Sequence, residues 1–295
     1  MSSFVRKAKT RRGKKHLENR IPKVIENDKT ALLLKGGKTN EKLTKFLQDI
    51  YLLKNPLAQK LQQKNPIHLF EDSTFIEKMS EKYDASLFLM VSKSKRHPDT
   101  VTLGRLFDYQ LLDLVDLQLI KYKPPSEFKQ PSFAIGTKPC ITLQGLNFEN
   151  DENFKKIGNM LVDFFRGPVI PKVRLQGLEM VMSFTATEEH IYMRTYRSVL
   201  KKSDDTVPRV ELIEVGPSAD FQVVRHKFAS DNLMKKAMKK PKELKRKMRK
   251  NTSQDVFGTK HGRIHLGRQN VNNIQTRKVK ALRKTANGHV DNDTQ

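Results

Sequence analysis

Residues 153–200 read NFKKIGNMLVDFFRGPVIPKVRLQGLEMVMSFTATEEHIYMRTYRSVL, and this stretch decides the fold class. Its first part places Phe154, Ile157, Leu161 and Phe164 or Phe165 on one side of a helix, at the three- and four-residue steps of a buried face, and Gly167-Pro168 stop it. GLEMVMSFTA (177–186), the polar break TEEH and IYMRTYRSVL (191–200) then read as strand, turn and strand. A parallel crossover needs about a dozen residues or more, so a turn this short makes the two strands antiparallel.

Upstream the same plan appears. After the Gly36-Gly37 turn, Thr39 or Asn40 caps a helix whose inner face is Leu43, Phe46, Leu47, Ile50 and Tyr51, and Pro56 ends it. A second helix starts at Asp72 or Ser73 with Phe75, Ile76 and Met79 inward. It is followed by a strand over 86–91, the polar turn SKSKRHPD and a strand over 101–107. Helical periodicity returns over 111–117, and CITLQG (140–145) reads as a short strand. VELIEV (210–215), the turn Gly216-Pro217-Ser218 and FQVVRHKF (221–228) complete a β-rich end. Helix, strand, polar turn and strand thus occur twice, roughly ninety residues apart. The expected class is α+β, α/β-like, with a mixed or antiparallel sheet in place of a doubly wound one. An ordinary α+β domain without duplication fits the same pattern.

The 295 residues are 37% hydrophobic, enough for a sizeable core, yet 57 Lys and Arg face 32 Asp and Glu, a net charge of +25. That charge is segregated. Residues 1–29 hold ten Lys/Arg against three acids (+7), residues 225–295 hold twenty against five (+15), and the span between is only +3. Like-charge blocks repel and do not pack into cores; they serve as interaction tails or targeting signals. The expected organisation is a basic arm over 1–29, a near-neutral domain over 30–232 and a basic tail over 233–295 that stays extended beyond Asn251 until bound. The longest apolar run, Leu87 to Val91, is far below a membrane span, and the basic start MSSFVRKAKTRRGKKH is unlike a secretory leader. A single cysteine, Cys140, excludes an internal disulfide framework and a Cys-based zinc finger, which fits a reducing intracellular compartment.

No constellation argues for catalysis, a metal or another cofactor. LKGGKTN imitates the end of a phosphate-binding loop, but the motif's first glycine falls at Leu32. His261 and His265 have ligand-like spacing, but no glutamate lies between them and Arg263 and Arg268 repel a cation. Glu188, Glu189 and His190 fall in a hydrophilic turn with no nucleophile motif beside them.

The chemistry lies in the basic segments. From Lys235 to Lys250 ten of sixteen residues are cationic: Lys235, Lys236, Lys239, Lys240, Lys242, Lys245, Arg246, Lys247, Arg249 and Lys250. Ala237, Pro241, Leu244 and Met248 lay a thin apolar stripe along a helix through them. Backbone contact with nucleic acid, nuclear import and an anionic-membrane or calmodulin-type helix all suit such a stretch, although the stripe has no bulky aromatic anchor. With few aromatics in either arm, phosphate and shape recognition of structured RNA fits better than base stacking as the main readout. A protein-interaction adaptor whose arms serve only import is the competing reading.

GGKTNEKLTKFLQDIYLLKNP, DTVTLGRLFDYQLLDLVDLQL, GTKPCITLQG, LVDFFRGP, IYMRTYRSVLKKS and PRVELIEVGPSADFQVVRHKFAS occur in that order, followed by NLMKKAMKKPK, DVFGTKHGRIH and QTRKVKAL. Together they resemble the Brix domain of ribosome-assembly factors, over residues 30 to about 284. The resemblance implies one domain of two similar halves and a non-catalytic nucleolar role in assembly of the large subunit, with effects on rRNA maturation. It implies contact with 5S rRNA and large-subunit pre-rRNA and an obligate pairing with the regulator of ribosome synthesis protein. It also implies partnership with the two ribosomal proteins that carry 5S rRNA in the pre-60S particle. By the match of NLMKKAMKKPKELKRKMRK to the family's basic stretch after the domain, Lys235 through Lys250 lie on RNA. The last residues, NGHVDNDTQ, carry no assigned role.

Overall fold

Asn40 sets the first core helix. Its side chain accepts the Leu43 backbone N–H at 2.8 Å, and helix α2 (Glu41–Lys54) buries Leu43, Phe46, Leu47 and Ile50 on the face its spacing predicts. Asp151 does the same for α5 (Glu152–Phe165), accepting from Asn153 N–H at 2.7 Å; Phe154, Ile157, Met160, Leu161, Phe164 and Phe165 go inward. Helix α3 (Thr74–Tyr83) turns Ile76 into the core and stops at Asp84, which takes a left-handed φ of 53°. The remaining helices are the basic α1 (Arg11–Arg20), the single turn α4 (Asn147–Asn150) and α6 (Asp231–Ala237). These elements come from a computed structural model that describes residues 8–21, 23–170, 173–174, 177–203, 207–244, 249–264 and 266–268. The chain divides into two compact units, Met1–Lys240 and Pro241–Gln295.

The larger unit holds a ten-stranded mixed sheet built from β1 (Ala31–Gly36), β2 (Ala58–Asn65), β3 (Leu87–Ser92), β4 (Thr100–Phe107), β5 (Gln110–Lys123), β6 (Cys140–Gln144), β7 (Met180–Ala186), β8 (His190–Lys201), β9 (Arg209–Glu214) and β10 (Ser218–Lys227). The strand order is β2-β1-β3-β4-β5-β10-β8-β7-β6, with β9 also on β8. From the centre outward the two sides mirror each other. β5 and β10 pair antiparallel, each is flanked by an antiparallel neighbour (β4, β8) and then another (β3, β7), and each side then adds a parallel partner (β1, β6); the first side alone goes one strand further, to β2, parallel to β1. The repeated plan of the sequence is therefore two halves joined along one seam. The smaller unit contains a hairpin of β11 (Thr252–Gln254) and β12 (Lys260–Gly262), so the tail beyond Asn251 is not wholly extended.

Both α2 and α5 lie on one face of the sheet and share one core with side chains from both halves, such as Leu89, Leu117, Met182, Ile191 and Phe221. Phe46 of α2 meets Phe221 of β10 edge to face, ring centroids 5.8 Å apart, which ties the halves across the seam. On the opposite face α3 covers only the first half, with Ile76 against Leu32, Leu34, Phe88 and Met90. The same face of the second half has no such cover among the described residues. There Val181, Tyr192, Arg194 and Tyr196 stay half-exposed and Leu200, Val210 and Leu212 are 38%, 57% and 52% exposed.

Three sequence expectations are corrected. Residues 111–117 are strand, within the 14-residue β5. Leu114, Val115 and Leu117 are all buried because both faces of this strand are covered, so its apolar pattern is nearly continuous and does not alternate. The acids at 113 and 116, three apart, completed the helical impression. Strands β1 and β2 were not read at all; ALLLKG lacks alternation and AQKLQQKN, at the sheet edge, lacks apolar residues. The helix through 235–250, with Pro241 opening its second part, is also not formed among the described residues: α6 ends at Ala237, and a 3-10 turn covers Lys242–Leu244. Pro241 has no N–H and disfavours helical backbone at Lys240, while Lys235/Lys239 and Lys236/Lys240 repel at the i, i+4 spacing.

Candidate nucleic-acid interface

Two buried carboxylates on β5 root the basic tail. Asp113, 1% exposed, takes Arg105 Nε at 2.5 Å and accepts the Ala229 backbone N–H at 2.8 Å, just before α6 begins. Asp116, 2% exposed, accepts Thr102 Oγ1 at 2.5 Å and Arg225 Nε at 2.6 Å. Desolvated acids need such partners, and here the partners are the backbone and side chain of the segment leaving the sheet. The Arg225 guanidinium also lies 3.9 Å from the Phe70 ring centre, His226 stacks on Phe228 at 4.8 Å, and Lys156 Nζ sits over Phe228 at 5.5 Å. The end of β10 thus carries cations on both faces of the sheet, Arg225 and Lys227 on the α3 side and His226 with Lys156 on the α5 side. Sequence reading took VVRHKF only as strand, although three consecutive cationic or imidazole side chains at its end were the available signal.

From that foot Asp231–Ala237 runs as one short helix with Asp231 in the first turn and Lys235 and Lys236 in the last, the arrangement that complements the helix dipole. Lys235, Lys236, Lys239 and Lys240 are all exposed, while Leu233, Met234 and Ala237 are half-buried. These four cations belong to the larger unit. Lys242, Arg249 and Lys250 belong to the smaller one and are exposed as well; Lys245, Arg246 and Lys247 lie outside the described residues, as does Met248 of the apolar stripe. In α1, Thr10 caps the helix by accepting Gly13 N–H at 3.1 Å, no residue is buried, and Arg20 donates to the Glu81 backbone carbonyl at the end of α3.

The features set aside in the sequence have structural explanations. Gly36 ends β1 where a Cβ would come within 2.7 Å of Ser92 Cβ, and a Cβ on Gly37 would crowd Pro66 at 3.1 Å, so close packing accounts for both glycines of LKGGKTN. Glu189 accepts from Gln222 Nε2 at 3.1 Å and His190 stacks near Tyr192, within the β7–β8 turn. Cys140 is half-buried at the start of β6. Among the described residues no cluster of His, Cys, Asp and Glu could hold a metal ion, and no helix is long and apolar enough to cross a membrane. His265 lies outside them.

Comparison with known proteins turns this geometry into a family assignment, because the Brix domain profile matches residues 36–225. The chain belongs to the Brix family. This Brix protein is 50% identical over 282 residues to the Ribosome production factor 2 homolog of Caenorhabditis elegans, covering 95% of both chains. It is 44% identical over 256 residues to the Homo sapiens homolog (87% of this chain, 84% of that one) and 36% identical over 306 residues to Ribosome biogenesis protein RPF2 of Saccharomyces cerevisiae (97% and 89%). A crystal structure of a probable ribosomal biogenesis protein from Aeropyrum pernix K1 superposes on 68% of the chain and 99% of its own, at 10% identity and a TM-score of 0.44. The role that these Brix relatives share by name is ribosome biogenesis.

Proposed function

We propose that this chain is a non-catalytic assembly factor of the large ribosomal subunit, acting in the nucleolus by holding rRNA through its basic segments and protein partners through its sheet. The observation that carries the reading is the segregation of charge in a Brix chain: a body of net +3 between ends of +7 and +15, with the C-terminal cations departing from the buried anchors Asp113 and Asp116. Lys235 through Lys250, joined by the cations at the end of β10, hold phosphates of 5S rRNA and of large-subunit pre-rRNA. Residues 1–29 form a second cationic arm, 30–232 the domain and 233–295 the tail. The domain positions; no bond is made or broken. The regulator of ribosome synthesis protein pairs with it, and the pair delivers 5S rRNA with its two carrier ribosomal proteins to the pre-60S particle.

The uncovered face of the second half supports the pairing. In the first half α3 fills the equivalent place, so a helix supplied in trans would complete the mirror. For the RNA part, a protein neutralising about 6–10 phosphates loses roughly 10³- to 10⁵-fold in affinity between 50 and 200 mM salt. Titrating a 5S rRNA transcript with the full chain across that range is the test, and salt-insensitive binding removes the electrostatic mechanism. Replacing both arms with an unrelated nuclear-import signal separates this reading from the adaptor alternative, since restored ribosome production would leave the arms only a transport role.

A further inference from the structure

The hairpin β11–β12 carries its apolar residues exposed at its tip. Its last sheet pair is Gln254 with Lys260, and Asp255 N–H donates to the Thr259 carbonyl at 2.9 Å, leaving a three-residue loop, Val256-Phe257-Gly258. Gly258 takes the left-handed φ of +85° that closes such a loop. Gly258 N–H donates to the Asp255 carbonyl at 2.9 Å, Val256 N–H to Asp255 Oδ1 at 2.7 Å and Gln254 Nε2 to the Gly258 carbonyl at 3.0 Å. At the open end Arg263 N–H donates to the Asn251 carbonyl at 2.7 Å. The corner positions of this braced turn, where Gly, Pro, Asn, Asp and Ser are usual, are occupied by Val256 and Phe257, 96% and 92% exposed.

Charge identifies what covers them. Arg249 and Lys250 lead into the hairpin and Lys260 and Arg263 lead out, against Asp255 alone, whose carboxylate is already engaged with the backbone. Lys260 stands in the sheet pair next to the tip, and Arg249, Lys250 and Arg263 stand at the open end; a hairpin with a cationic base and an exposed aromatic tip matches nucleic acid, where phosphates take the cations and an unstacked base takes the ring. We propose that the 256–257 tip is a stacking wedge: Phe257 packs on the face of an unpaired base in RNA, with Val256 against the neighbouring sugar or base. This rests on the reading of the C-terminal region as an RNA-binding segment and adds to its phosphate contacts one site that requires an open base.

The test uses the full-length chain and a 5S rRNA transcript, with affinity measured across a salt series. Phe257→Ala is expected to weaken binding roughly 5- to 150-fold, the range for one lost base–aromatic stack, while the slope of log affinity against log salt stays unchanged. Phe257→Trp restores binding. Arg263→Gln instead lowers the slope by about one counterion. Unchanged affinity of Phe257→Ala overturns the wedge. If joint replacement of Lys235, Lys236, Lys239 and Lys240 by Gln still weakens binding in that case, the broader RNA reading survives; if it does not, both fall. Loss of a copurifying protein from Phe257→Ala with RNA affinity intact also overturns the wedge and makes the tip a protein anchor.

Discussion

Lys54 closes α2 as a basic last-turn residue should, yet it is only 5% exposed, donating to the Phe164 carbonyl near the end of α5 and lying 5.5 Å from the Phe164 ring centre. Burial lowers its pKa from 10.5 to about 8, opposed in part by Asp163. In the unfolded chain the ammonium keeps its ordinary affinity for the proton. Between about pH 8 and 10.5 the unfolded state therefore binds more protons than the native one, and this group's contribution to stability rises with pH. Below pH 8 both states are protonated and the cost of burying the charge is fully present. The difference in unfolding free energy between wild type and Lys54→Met, from urea denaturation, should shift in favour of wild type from pH 8 to 10 by about 2 kcal/mol. Parallel profiles would show that Lys54 is not desolvated. Nothing in EKLTKFLQDIYLLK marks this lysine as different from an exposed cap; only the arrival of α5 buries it.

Among the elements, burial on both sides did not by itself hide a strand, since β3 and β4 were legible as short runs about a polar turn; what hid an element was a pattern that imitated another or carried none. Helices α2 and α5 announced their inner faces through spacing and their ends through Asn40, Asp151, Pro56 and Gly167-Pro168. Strand β5 was hidden because cores on both of its sides remove the alternation, and its buried acids looked like the polar face of a helix when each is instead held by an arginine. For the tail, positions 235–250 were legible as a cationic run, but its shape was not, since repulsion and Pro241 end the helix early. The carboxylates that aim it lie more than a hundred residues upstream and could not be assigned to it by spacing. Strand β9 carries the most exposed part of the uncovered face, with Leu212 beside Ser198 of β8. Leu212→Glu should change thermal stability by less than about 0.5 kcal/mol, as a surface replacement, yet abolish capture of the regulator of ribosome synthesis protein from cells. Undiminished capture would move the pairing surface elsewhere.

For the whole molecule, the charge partition and the sheet give separable parts. Residues 30–232 keep all ten strands of the large sheet and both helices of the shared core, and lose the Lys29–Asp163 ion pair and the Arg20 hydrogen bond to the Glu81 carbonyl. That fragment is expected to retain the circular dichroism and cooperative melting of a folded domain while losing most affinity for RNA. A fragment with undiminished affinity would relocate the RNA site to the body.

The β5–β10 seam also governs timing. Its register pairs Ser218 with Lys123 and Lys227 with Leu114, partners separated by about a third of the chain or more, and the loop-closure entropy of such distant pairings slows their formation. Arg225 and Ala229 are gripped by Asp116 and Asp113 alongside this ladder. A newly made chain therefore has its cationic tail from the moment of synthesis but no fixed direction for it until both halves have zipped together. Folding of the domain thus fixes the point at which the basic tail leaves it.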